Sequence, residues 1–231
     1  MSVQINKLLD SIDLLCVDMF QTLVDVKPRI PFIWKRILQE QYTPELAESC
    51  FRLVQTKIIT PYHEITGQLT GFQDLKTLFK PYFKQIKEEL RLDYDEEDAT
   101  LTFLVEQGHS VSFPDTRPFF DGLNGRLPVC LISDTDDDMI QPLLRQYTFD
   151  KVFTSENTRS YKSDPRGTIF KTVLNHYNLA PERVLHVGDA ISDIKGAKSL
   201  SIQACWINRN GSEWSYDIKP DYVIQKLTDL A

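Results

Sequence analysis

Residues able to do chemistry recur in this chain at one kind of place, just past a short apolar run. Leu14 to Val17 leads into Asp18, with Thr22 four residues on, and Val129 to Ile132 leads into Ser133 and Asp134. Val184 to Val187 leads into Gly188 and Asp189, with Asp193 four residues later, and Lys162 follows Val152 to Thr154 in "SYKSDPRGTIF". A carboxylate such as Asp18 can attack phosphorus or carbon and form a covalent intermediate that water later cleaves. Asp18 and Asp189 also suit Mg²⁺, which takes oxygen ligands in octahedral geometry and commonly uses one or two carboxylates beside waters and a substrate phosphate. The hydroxyls of Thr22 and Ser133 can hold anionic oxygens, and Lys162 can offset charge spreading over a transferring group. Singly, each has an ordinary use as a turn former, a helix cap or a loop lysine. Their coincidence at successive run ends is what singles them out.

The runs themselves are three to six residues long, rich in Val, Ile, Leu and Cys and without polar alternation, which fits strands covered on both faces; Ile202 to Ile207 is a further one. Helical patterns lie between them at Asp138 to Tyr147, Pro165 to Tyr177 and Ser192 to Leu200. Strand alternating with helix implies a doubly wound α/β fold on a parallel sheet. In such sheets ligands bind beyond the C-terminal strand ends, near a switch in strand order. The rhythm breaks once. From about Lys27 to Phe113 the pattern is helical, over Phe32 to Gln41, Glu45 to Thr60, Gln73 to Glu89 with a kink expected at Pro81, and Asp98 to Gln107. The expected organisation is a core of residues 1–26 and 114–231 with a helical insertion at 27–113. The acidic run "DYDEED" at 93–98 reads as a solvated helix start whose charges suit the helix dipole.

The 231 residues suffice for one large domain or a core with an insertion. With 42% hydrophobic and 26% charged residues, and only 9 Gly and 12 Pro, the chain is neither disordered nor fibrous. A net charge of −7 disfavours nucleic acid and anionic membranes as partners, while a small anion can still bind where a local cation or metal overrules the global field. Cys16, Cys50, Cys130 and Cys205 form no CxxC pair and are expected as buried free thiols. No run approaches the ~20 apolar residues of a membrane span, and no basic segment followed by an apolar one opens the chain, so the cytoplasm is the expected location.

With these motifs in hand, the chain resembles the haloacid dehalogenase superfamily of hydrolases. The motifs "VDMFQTL", "LIS", "YKSDP" and "VGDAISD" come in that family's order over nearly the whole core. The resemblance implies a Rossmann-like core with a helical cap that closes over the site. It implies Asp18 and Lys162 as catalytic residues, and Thr22, Ser133 and Asp134 as substrate-binding ones. It further implies Mg²⁺ held by Asp18, Asp189, the main-chain carbonyl of Phe20 and Asp193, the last as a ligand or a supporting residue. The substrate would be a small phosphorylated or acidic metabolite, and the chain a monomer or homodimer.

Phe20 departs from the family's phosphatases, in which a second Asp two residues past the nucleophile protonates the leaving oxygen and activates water. General acid–base catalysis is worth about 10²- to 10⁴-fold, so a simple sugar phosphatase would be crippled. Three readings remain open. Another group, Asp134, Asp136, His63 or Glu64, replaces the acid; or the leaving group is good, as in an acyl phosphate, an aryl phosphate or a halide; or the protein only binds. Dehalogenases of the family also carry an aromatic residue there, and "TLVDV" and "CWINR" look like that branch, whereas "VGDAISD" looks like the metal-binding phosphatases. The expectation is a Mg²⁺-dependent phosphatase working through an aspartyl-phosphate, with a metal-independent 2-haloacid dehalogenase, or a catalytically weak phospho-ligand binder, as the alternative. Arg29, Trp34, Tyr62 and Arg117 are candidates for specificity. At "KGAKSLSI" the helix lacks the glycine that commonly ends one, which leaves its cap geometry open.

Overall fold

The structure is a computed structural model that describes residues 8–230; residues 1–7 and Ala231, at the outer ends of the expected core segments, lie outside the described residues. The chain divides into two compact units. Met1–Asp25, Ser112–Asp134 and Thr148–Ala231 make the first, and Val26–Val111 with Thr135–Tyr147 the second. The helix Asp137–Leu144, which follows a core strand, therefore groups with the helical unit rather than with the sheet. The physical reason is close packing. A Cβ on Gly108 would stand 2.1 Å from the carbonyl oxygen of Met139, and the Asp136 carboxylate accepts the N–H of Leu75 at 2.8 Å.

The strands in chain order are β1 (Leu14–Val17), β2 (Val24–Asp25), β3 (Val111–Ser112), β4 (Val129–Ser133), β5 (Lys151–Thr154), β6 (Val184–Gly188), β7 (Gln203–Ile207) and β8 (Tyr222–Ile224). Six form one parallel sheet in the order β5-β4-β1-β6-β7-β8, while β2 and β3 pair separately. Both side-chain parities of β1 are buried, so the sheet is covered on both faces, as its unalternating apolar runs require. One of those faces packs Leu14, Cys16 and Ile132 against Phe170 and Val173 of helix Thr168–Tyr177 and Ile194 of helix Ile191–Ser199. Strand order switches at the middle, since the chain builds leftward from β1 and then crosses to β6. Val17 is in register with both Leu131 and Val187, so the residues that leave β1, β4 and β6 emerge side by side.

The second unit holds helices Ile30–Leu38, Pro44–Val54, Tyr62–Gly67, Leu75–Leu90, Glu96–Gln107 and Asp137–Leu144, with Pro81 inside the fourth. The third of these, and helix Thr116–Leu123 of the first unit, were not foreseen. Trp34 stacks on Phe83 at 6.2 Å and Phe83 meets Phe103 at 5.3 Å, a core of aromatic rings. Polar side chains cap the starts: Thr43 takes the N–H of Leu46, Asp74 that of Thr77, and Asp95 those of Glu97 and Asp98. The acidic run is thus a helix start. Glu106, buried in this unit, is bonded by both Arg29 and Arg36.

All four cysteines are buried and free. No described helix is long and apolar enough to cross a membrane.

Candidate active site

β1 ends where its ladder does. The N–H of Asp18 still bonds the carbonyl of Val187, at 2.9 Å, and holds Asp18 at the C-terminal edge of the sheet. A tight turn follows, in which the Met19 carbonyl accepts the N–H of Leu23 and of Val24, and Gln21 takes the left-handed conformation at φ 59°. The turn buries Thr22, whose carbonyl accepts a bond from Arg209 Nη2 at 2.6 Å. Arg209 is itself fixed by Asp115 at 3.0 Å and by the Phe113 ring, 3.8 Å beneath the guanidinium carbon. Phe20 sits in this turn, partly exposed.

Lys162 ties the strand ends together. Its Nζ donates to Asp18 Oδ1 at 2.8 Å and to Asp193 Oδ1 at 2.6 Å, while its backbone N–H donates to Asp134 Oδ1 at 2.9 Å. Far from being a loop lysine in solvent, it is 3% exposed. Two glycines allow this closeness. A Cβ on Gly196 would lie 2.4 Å from the Lys162 carbonyl oxygen, and one on Gly188 would lie 2.1 Å from Asp193 Cγ. Asp193 is third in its helix and reaches back to the Ala190 N–H at 3.0 Å, while its Oδ1 also meets His186 Nε2 at 2.8 Å. The carbonyl of Asp189 accepts from Trp206 Nε1 at 3.0 Å.

Four carboxylates crowd one lysine, and their protonation follows from that. Burial pulls Lys162 toward neutrality, but Asp18, Asp193 and Asp134 together hold it charged, well above the ordinary lysine value. Burial pushes Asp18 up in spite of Lys162, with Asp193 adding to the rise. Asp193 goes the other way: burial opposes its charge, but Lys162 and His186 hold it far below the usual carboxylate range. Burial, followed by the nearness of Asp18 and Asp193, drives Asp189 well up. Burial pushes Asp134 up to about 6 against the pull of Lys162.

Oxygens of Asp18, Asp189 and Asp193 lie within 4.8 Å of one another. An all-oxygen set of this size fits a hard divalent cation, which would offset the burial, and the smaller mutual repulsion, that raise Asp18 and Asp189. Asp193 already spends Oδ1 on Lys162 and His186 and Oδ2 on Ala190, so it fits an orienting role better than a ligand's. Thr22 Oγ1, Ser133 Oγ and Asp134 Oδ2 are buried with no hydrogen-bond partner among the described residues. Buried polar atoms are normally paired, so three such atoms, in the turn after β1 and at the end of β4, fit an anionic or hydrated ligand.

The fold thus brings together Asp18, Thr22, Ser133, Asp134, Lys162, Asp189 and Asp193. The other candidates make these contacts. Asp136 caps helix Leu75–Leu90 through the N–H groups of Leu75 and Lys76. His63 faces Glu64 at 4.0 Å in the second unit, where Trp34 is core and Arg29 binds Glu106. Arg117 pairs with Asp121 at 2.9 Å on an exposed helix face. Sequence reasoning missed His186 and Arg209. His186 had one available signal, since a polar ring within an apolar strand covered on both faces needs a buried partner.

The family model of the haloacid dehalogenase-like hydrolases matches residues 12–200. The (S)-2-haloacid dehalogenase 4A of Burkholderia cepacia is 23% identical over 208 residues, 87% of this chain and 76% of that one. The glyceraldehyde 3-phosphate phosphatase of Pyrococcus furiosus is 37% identical over 71 residues, 29% of each chain. Among solved structures, the magnesium-bound HAD-hydrolase YfnB of Bacillus subtilis superposes with a TM-score of 0.80 at 18% identity, covering 95% of this chain and 96% of that one. The L-2-haloacid dehalogenase of Xanthobacter autotrophicus with chloropropionic acid covalently bound superposes with a TM-score of 0.76 at 19% identity, covering 95% and 96%. These structures share the fold, and the match over most of the core, together with the ordered strand-end motifs, means that this chain belongs to the haloacid dehalogenase-like hydrolases.

Proposed function

We propose that this hydrolase acts on a short 2-halo acid, with Asp18 as the nucleophile. The carrying observation is the turn after β1, where Phe20 stands in place of an acid beside a carboxylate held by Lys162. A halide departs with its electron pair and needs no proton, so an aromatic side chain there costs the first step nothing. Asp18 would displace the halide from C2 and form an ester, while Lys162 steadies the attacking carboxylate and the hydroxyls of Thr22 and Ser133 receive the substrate's own carboxylate. Likeness to the Burkholderia cepacia dehalogenase over 87% of this chain supports the same reading.

The acidic trio favours a second reading, hydrolysis of an acyl or aryl phosphate. There Asp18 and Asp189 would hold Mg²⁺, which when bound offsets the charge of carboxylates and phosphate. Chloride release from 2-chloropropionate in EDTA, set beside Mg²⁺-dependent phosphate release from acetyl phosphate, separates the two. Asp18→Asn is expected to lower whichever rate is found by about 10⁴-fold or more. Chloride release that survives in Asp18→Asn overturns the assignment of the nucleophile.

A further inference from the structure

An ester on Asp18 must be opened by water, and no acid or base stands at Phe20 to activate it. We propose that Asp134 is the general base for this step, its Oδ2 taking the proton of the water that attacks the esterified Asp18 carboxyl. This rests on the reading of Asp18 as the nucleophile. Asp134 follows β4, the neighbour of β1, and the two carboxyls hold opposite ends of one residue, Asp134 the N–H and Asp18 the Nζ of Lys162. One oxygen of Asp134 is therefore anchored, while the other is buried with no hydrogen-bond partner among the described residues.

The rival groups are committed. Asp193 spends both oxygens, and His186 turns Nε2 to it. Lys162 is held protonated. Asp136 spends its carboxylate on the start of helix Leu75–Leu90. The charged groups that bear on Asp134 are Lys162, Asp193 and Asp18, and burial outweighs them to bring it to about 6. It is thus ionised at neutral pH, yet a stronger base than an exposed aspartate.

Asp134 takes one proton from water as the oxygen adds to the Asp18 carboxyl carbon. The tetrahedral adduct collapses, the bond from that carbon to the ester oxygen breaks, and the departing alkoxide receives the proton from Asp134 to become the 2-hydroxy acid. The new Asp18 carboxyl loses its remaining proton to solvent.

The test is rapid mixing of 2-chloropropionate with the full chain and with Asp134→Asn, which keeps an acceptor for the Lys162 N–H. Asp134→Asn should release a burst of chloride stoichiometric with the chain and then turn over about 10²- to 10⁴-fold more slowly than wild type. Intact-mass analysis should show the propionate ester accumulating on Asp18. Wild-type turnover by the variant, or burst and steady rate falling together, overturns the proposal. If Asp134→Asn fails to fold, ester decay in the wild-type chain decides. It should slow about tenfold per pH unit below about 6, and a pH-independent decay overturns the role. Chloride released with no ester on Asp18 in either chain sinks the nucleophile rather than the base. Should 2-chloropropionate not react, the same measurements follow acetyl phosphate with Mg²⁺ and read phosphoryl-Asp18; inertness to both probes overturns nucleophile and base together.

Discussion

Two ion clusters in this chain, each centred on a buried charged group, are mirror images. In the first unit one cation, Lys162, is surrounded by the carboxylates of Asp18, Asp193 and Asp134; in the second one carboxylate, Glu106, is held by two cations, Arg29 and Arg36. The Glu106 carboxylate is fully engaged, and although burial opposes its charge, the two guanidiniums hold it below the usual range. The Lys162 cluster has a surplus of acids, three of them, Asp18, Asp134 and Asp189, pushed up, and it leaves buried polar atoms unpartnered at Thr22, Ser133 and Asp134. A carboxylate with both oxygens paired is what a structural bridge needs, even with Arg29 Nε left without a partner among the described residues. Unresolved charge and unspent hydrogen-bonding capacity, at the sheet edge where strand order switches, are what a reacting site needs.

Removing the hubs should expose the difference. Lys162→Met strands two buried carboxylates, so a loss of about 3–5 kcal/mol in a urea titration is expected, together with loss of turnover. Mg²⁺ should act on the first cluster only: at 100-fold above its Kd it should stabilise the wild-type chain by about 2.7 kcal/mol. In EDTA Asp189→Asn should be the more stable protein, since it removes one of the crowded acids, and in Mg²⁺ the order should reverse. A Mg²⁺ response unchanged in Asp189→Asn would break the contrast.

Glu106→Gln should cost about 1–3 kcal/mol through the pairing lost by Arg29 and leave kcat intact. The pH dependence sharpens this. Glu106 has a folded pKa below its unfolded value of about 4.3, so its contribution is full above that value and is lost as pH falls through the folded one. The acid limb of a stability–pH curve should therefore flatten in Glu106→Gln. The smallest effect concerns the helix that carries Asp193. Ser201 takes the left-handed conformation at φ 62°, and its N–H and that of Ile202 close the helix end on Lys198 and Ala197. The turn a glycine would make is thus made by serine under strain, and Ser201→Gly should stabilise by about 1 kcal/mol in thermal melts.

Much of this was legible because short apolar runs without alternation, rich in Val, Ile and Leu, fit strands covered on both faces, and the ends of such strands mark a binding edge. The short edge strand Tyr222–Ile224 was not, since three residues with an exposed Val223 between them carry no period. Helix Asp137–Leu144 was foreseen as an element, but its grouping with the helical unit depends on Gly108 meeting the Met139 carbonyl, a contact remote in sequence. At the site, single residues announced themselves where they broke a run, as Asp18 and Asp189 do. His186 did not, because an imidazole inside a strand reads as packing until Asp193 folds back onto it. The competing signals at Phe20 and Asp189 were visible from the start. What sequence could not supply was the geometry that leaves Asp134 with one anchored oxygen and one unspent one.

Lys162 gives the site a particular way to fail. Since a single residue grips Asp18 with its tip and Asp134 with its backbone, the loop that carries it works like a crossbar on two pegs. A shift of that loop slackens both grips at once, so the attacking carboxylate and the residue proposed to release it fall out of alignment together. Heat or denaturant acting on that segment would extinguish turnover in one stage, with no interval in which the enzyme loads but cannot discharge.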